Sequence, residues 1–140
     1  MARTDQSGDW RTRLAPTLQE LESLSREAFA FLPEKFRLLC GELTIQIADF
    51  PEDQVVEDMG LESPFELLCL FEGNRLGERF SLVSNNSANC ITLFRRAILD
   101  YWAENEETLG EIISHVFIHE IGHHFGLSDE DMDALEEAAE

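Results

Sequence analysis

An α+β domain is the fold class this chain predicts, on three observations. Short apolar stretches of strand length lie between residues 43 and 94, separated by Gly, Pro and Asn breakers. Segments of helical periodicity stand before and after these stretches rather than alternating with them. A length of 140 residues, 44% of them hydrophobic, suits one domain around one modest core.

Residues 1–13 are polar and charged and read as a flexible N-terminal tail, leaving 14–140 as a single domain. Thr17-Leu18-Gln19-Glu20 has capping-box form, and Leu18, Leu21, Leu24 and Ala28 recur at helical spacing up to Leu32. Pro33 ends that helix and opens a short second one, which Gly41 stops. Leu43, Ile45 and Ile47 alternate with Thr44, Gln46 and Ala48, the pattern of a half-buried strand. From Asp49 to Pro64 the chain is acidic, with Pro51 and Gly60 as breakers and room for one helical turn between them. Leu67-Leu68-Cys69-Leu70-Phe71, followed by Gly73-Asn74, reads as a buried strand and a turn. Residues 80–83 read as a short strand and 84–89 as a polar loop. Cys90-Ile91-Thr92-Leu93-Phe94 is a further strand, running into a helix over about 95–103. Thr108-x-x-Glu111 caps the next helix, whose apolar residues include Leu109, Ile112, Val116 and Phe125. Ser128-x-x-Asp131 has the same spacing and opens a last acidic helix reaching about residue 139. The expected sheet is small, mixed or antiparallel, with three or four strands, an N-terminal helix before it and two or three helices after it.

Ten Lys+Arg against 29 Asp+Glu give a formal charge of −19. Such a surface repels phosphate, which argues against nucleic acid and anionic membranes as partners. It is compatible with a basic protein or peptide steered by the field, and equally with charge that serves solubility alone. Cys40, Cys69 and Cys90 are an odd number without metal-type spacing. With no apolar secretory core in residues 1–13 and no run long enough to span a bilayer, the chain reads as a reduced, cytoplasmic protein with buried thiols.

The chemistry concentrates in His119-Glu120-Ile121-Gly122-His123. Residues four apart on a helix share a face, so His119 and His123 can offer two imidazoles to one Zn2+. Glu120 projects beside them, where its carboxylate can take a proton from metal-bound water. Gly126 allows the chain to turn back, which brings Asp129 up as the candidate third ligand. Glu136 and Glu137 on the following helix are its rivals, and an acid placed at a helix N-terminus for the dipole is the plainer role for Asp129. His115 lies roughly 12 Å along the helix axis from His123, too far to share its ion, and reads as packing or as an outer partner. His124 points about 100° away from His123 and reads as structural. Gly122 leaves room for the close approach of another element. Arg95 and Arg96 read as a solvated helix start, with substrate-carboxylate binding as the alternative. Tyr101 is the one phenol available to an oxyanion.

The motif His119, Glu120, His123, Gly126 and Asp129 resembles the HExxHxxGxxD signature of a family of small bacterial zincin-like metallopeptidases. Leu32-Pro33-Glu34-Lys35-Phe36, Leu70-Phe71-Glu72-Gly73 and Ile91-Thr92-Leu93-Phe94-Arg95-Arg96 are similar to that family's other blocks, in the same order. The likeness spans roughly residues 29–131. It implies a minimal zincin-like domain, with a small sheet, a C-terminal metal-binding helix and an aspartate as third ligand. It implies, too, a zinc-dependent metallopeptidase in which Glu120 assists water attack on a peptide or protein substrate. Two other classes stand beside this one. One is a metal-binding protein-interaction module without general protease activity. The other is a metal-dependent nuclease, against which both the charge of −19 and Glu120 argue.

Overall fold

Helix α1 (Leu18–Ala30) begins where the Glu20 N–H donates to Thr17 Oγ1 and the Thr17 N–H donates to Glu20 Oε1, at 3.0 and 2.9 Å. The computed structural model describes residues 9–73 and 89–139, and α1 is the first regular element among them. After it come α2 (Glu34–Cys40), β1 (Leu43–Ala48), α3 (Asp53–Asp58), a 3₁₀ turn (Pro64–Glu66), β2 (Cys69–Glu72), β3 (Asn89–Phe94), α4 (Arg95–Glu104), α5 (Leu109–His124) and α6 (Asp129–Ala138). Residues 80–83 and 84–88, the expected strand and loop, lie outside the described residues, while Asn89 belongs to β3.

The three strands form a mixed sheet in the order β1-β3-β2. β3 runs parallel to β1, Leu43 opposite Asn89 and Ala48 opposite Phe94. It runs antiparallel to β2, with Cys69 opposite Leu93 and Glu72 opposite Cys90. The central strand is the most buried of the three, with Ile91, Leu93 and Phe94 withdrawn from solvent.

α5 is the centre of the core. Ile112, Ile113, Val116, Phe117, Ile118, Ile121 and Gly122 are all buried, more of its circumference than Leu109, Ile112, Val116 and Phe125 alone indicate. A helix apolar nearly all round must be enclosed. α1 covers it with Leu21 and Ala28, α6 with Met132 and Leu135, and β2 with Cys69, while the Phe29 ring meets Phe117 edge-on at 5.6 Å. A second capping box, Thr108 with Glu111, fixes its start. At its end Gly126 takes φ +79°, the Gly126 N–H donates to the His123 carbonyl at 3.1 Å, and the Leu127 N–H donates to the Gly122 carbonyl at 2.9 Å. This is a Schellman turn, and it folds α6 back against α5. Gly122 is where the two helices meet, since a Cβ there would stand 2.7 Å from Met132 Sδ. The close approach expected of Gly122 is therefore made by α6.

Two readings are corrected by packing. α1 stops at Ala30 rather than continuing to Leu32, and Leu18 is exposed rather than part of the apolar face. Arg95 is not a solvated helix start. Its Nε donates to the Pro16 carbonyl at 2.6 Å and a terminal nitrogen to Asp49 Oδ1 at 2.9 Å, tying the segment before α1 to the end of β1. Arg96 lies over the Phe50 ring at 5.3 Å. All three cysteines are free thiols, with Cys40 and Cys69 buried and Cys90 half-buried. No helix among the described residues is long and apolar enough to cross a membrane.

Two glycines of the α5 region should respond to alanine with opposite sign. Gly126→Ala forces a Cβ into the left-handed region and should lower the unfolding free energy by about 1–2 kcal/mol. Gly110, on α5 with nothing within 4 Å of an added Cβ, should gain roughly 0.5–1 kcal/mol on the same change through lost unfolded-state freedom. Urea midpoints measure both, and a stabilising Gly126→Ala would contradict the turn described above. Burial also pushes the Cys40 thiol up from its ordinary 9.0 to about 12, and raises Cys69 as well. The unfolded chain then ionises these thiols first, so their stabilising contribution is complete below pH 9.0 and declines as pH rises toward 12. Alkylation at neutral pH should spare Cys40 and Cys69 in the folded protein and label both in urea.

Candidate metal centre

One stripe of α5 escapes the core, and it carries His115, His119, Glu120 and His123. His119 is half-buried and the other three are exposed. The histidines are one turn apart, so their rings line up along the helix. His115 stacks on His119 with centroids 4.0 Å apart and planes 22° apart, and the His119 and His123 centroids are 6.0 Å apart.

α6 supplies the carboxylate that meets this stripe. It runs antiparallel to α5, so Met132 faces Gly122 and the residue one turn later, Glu136, faces the preceding histidines. Glu136 Oε2 is 2.5 Å from His115 Nδ1, and Glu136 Oε1 is 3.4 Å from His119 Nε2. The second contact has ion-pair distance without hydrogen-bond alignment. His119 Nε2 is thus buried with no hydrogen-bond partner among the described residues. Leaving such a nitrogen unsatisfied costs about 1–3 kcal/mol, a cost that coordination removes. Imidazole and carboxylate are zinc's usual donors, and the residues present fit that ion.

His119 and His123 share the open stripe of α5. Glu120 lies toward β2, where its negative charge adds to burial in raising the Cys69 thiol. Asp129 is the first residue of α6 and exposed, with Ser128 as N-cap. The donor group whose atoms all lie within 4.8 Å of one another is His115, His119 and Glu136, and neither His123 nor Asp129 belongs to it. Of the two roles the sequence leaves to His115, packing and outer partner, the contacts agree with the second, since it lies on the exposed stripe and touches both His119 and Glu136. The Ser128-x-x-Asp131 cap with the Gly126 reversal was the available signal for Glu136, since together they set an antiparallel register. His124 packs edge-on against Phe71 at 4.5 Å, the structural role expected of it. Tyr101 sits on α4, exposed.

Beside His115 and Glu136 a cavity of about 710 Å³ opens between α1 and α5, lined by Leu24, Phe31, Glu27, Glu107 and Glu111 among others. None of the curated proteins compared matches this chain. A family model of zincin-like metallopeptidases does, over residues 40–139. That match takes in the whole sheet, the histidine stripe of α5, the Gly126 turn and α6, and it is on these elements that the chain belongs to the zincin-like metallopeptidase family.

Proposed function

We propose that the protein is a zinc-dependent peptidase with His119, His123 and Asp129 as metal ligands and Glu120 as general base. The observation that carries the proposal is the open stripe of α5, where two histidines one turn apart stand beside the exposed carboxylate of Glu120 on a helix with seven of its sixteen residues buried. The Schellman turn at Gly126 supports Asp129, because it returns the chain to α5 at the His123 end. Zinc held there supplies Lewis acidity, polarising a carbonyl and bringing the pKa of water toward neutrality.

The chain's own residues do the rest. Glu120, exposed and beside β2, accepts a proton from the attacking water and returns it to the leaving amine. An extended peptide added alongside β2 by strand pairing would lie next to Glu120, whose charge is felt at Cys69. The acidic walls of the neighbouring cavity and the charge of −19 favour a substrate carrying positive charge. A second reading, a metal-binding interaction module, draws on one observation: Asp129 is not gathered with His119 and His123 into a ready three-donor set.

Glu120→Gln preserves size and removes the base. It should fold normally, keep its zinc, and lose hydrolysis of a peptide library rich in basic residues by about 10²–10⁴-fold, roughly 3–5 kcal/mol of barrier. Equal turnover by variant and wild type would remove Glu120 from the mechanism. Absence of turnover in both, with zinc bound, would favour the interaction module.

A further inference from the structure

α5 carries not one histidine pair at four-residue spacing but two, His115 with His119 and His119 with His123, sharing His119. We propose that His115, His119 and Glu136 form a transition-metal site of their own, one turn N-terminal to the motif pair and competing with it for His119.

The donors of this site are already assembled. One imidazole nitrogen each of His115 and His119 and one carboxylate oxygen of Glu136 lie within 4.8 Å of one another. Tetrahedral ligands at about 2.0–2.1 Å from an ion stand roughly 3.3–3.4 Å apart. Glu136 meets the two histidines through different oxygens, Oε2 at 2.5 Å from His115 Nδ1 and Oε1 at 3.4 Å from His119 Nε2, so the carboxylate spans both rings and a small movement of its side chain brings it to tetrahedral spacing about a shared ion. His119 Nε2, buried and without a hydrogen bond among the described residues, is aimed at this group. An access path exists as well, since His115 and Glu136 both line the cavity of about 710 Å³, whose glutamates draw cations.

The site excludes its neighbour by simple chemistry. His119 Nε2 has one lone pair and binds one ion. An ion seated with His115 and Glu136 therefore withdraws His119 from His123, and a peptidase loaded there is silent until the ion moves one turn along the helix. That competition, though not the site itself, rests on the proposed function. The plainer role, a His115–Glu136 hydrogen bond that only fastens α6 to α5, makes a different forecast: loss of either residue lowers stability and leaves metal affinity alone.

His123→Ala separates the two sites, because it destroys the motif pair and leaves the proposed site whole. The full-length chain, stripped with chelator, is titrated with Co2+ and Zn2+, while thermal unfolding of each variant confirms folding. His123→Ala should still bind one Co2+ per chain. Adding His115→Ala or Glu136→Gln to it should weaken binding by more than 100-fold, beyond the 10–100-fold that loss of an outer partner costs. Glu136→Gln keeps size and hydrogen bonding, so its effect reports on coordination. If the wild type binds an ion and His123→Ala does not, the proposal is overturned and the motif pair stands. If neither binds, both metal readings fall. Peptide hydrolysis by the wild type at saturating zinc tests the proposed function separately: its absence removes that reading and leaves this site in place.

Discussion

The structure depends on the enclosure of α5. A sixteen-residue helix with seven buried positions cannot lie on a surface, and the domain is the set of walls that hide it. α1, the sheet and α6 each take one side. What they leave open includes one strip, and His115, His119, Glu120 and His123 lie along it. The site is in this sense the remainder of the core. Its histidines are held in line by the packing behind them, with Ile112, Val116 and Ile118 anchoring the helix from which His115, His119 and His123 project.

Much of this was legible because the signals are local. Thr17 with Glu20, Thr108 with Glu111 and Ser128 with Asp131 each declare a helix start within four residues, and all three form capping boxes. The alternation from Leu43 to Ala48 and the run ending at Phe94 marked two strands, and Gly126 marked the reversal. What escaped was set at a distance. That β3 is central, parallel to one neighbour and antiparallel to the other, depends on pairings no window of sequence contains. Arg95 looked free because its partners, Pro16 and Asp49, are 79 and 46 residues away. The sequence leaves His115 as either packing or an outer partner, because its contact with Glu136 exists only once α5 and α6 are in register.

That register makes α6 more than a lid. Met132 fills the space that Gly122 leaves, and one turn further on the same face Glu136 reaches the histidines. A change in the fit at Gly122 is thereby transmitted to the carboxylate as a shift or rotation of α6. Packing and metal chemistry are joined through one helix turn, so the glycine inside the motif is as much a determinant of the donor set as the residues that carry lone pairs.

The place of β3 in the chain has a consequence for how the protein comes into being. β1 and β2 do not pair with each other, and each finds its described partner only in β3, the last of the three strands in the sequence. A nascent chain, made at about 5–20 residues per second, therefore holds β1 for roughly 2–9 seconds before Asn89–Phe94 exists. During that wait Leu43, Ile45 and Ile47 lie on an unpaired strand, open to pairing with another molecule. The acidic stretch just after β1, with Glu52, Asp53, Glu57 and Asp58, sets like charge beside that strand, which opposes its pairing with another copy. Some of the negative charge of this protein thus serves a molecule that is not yet folded.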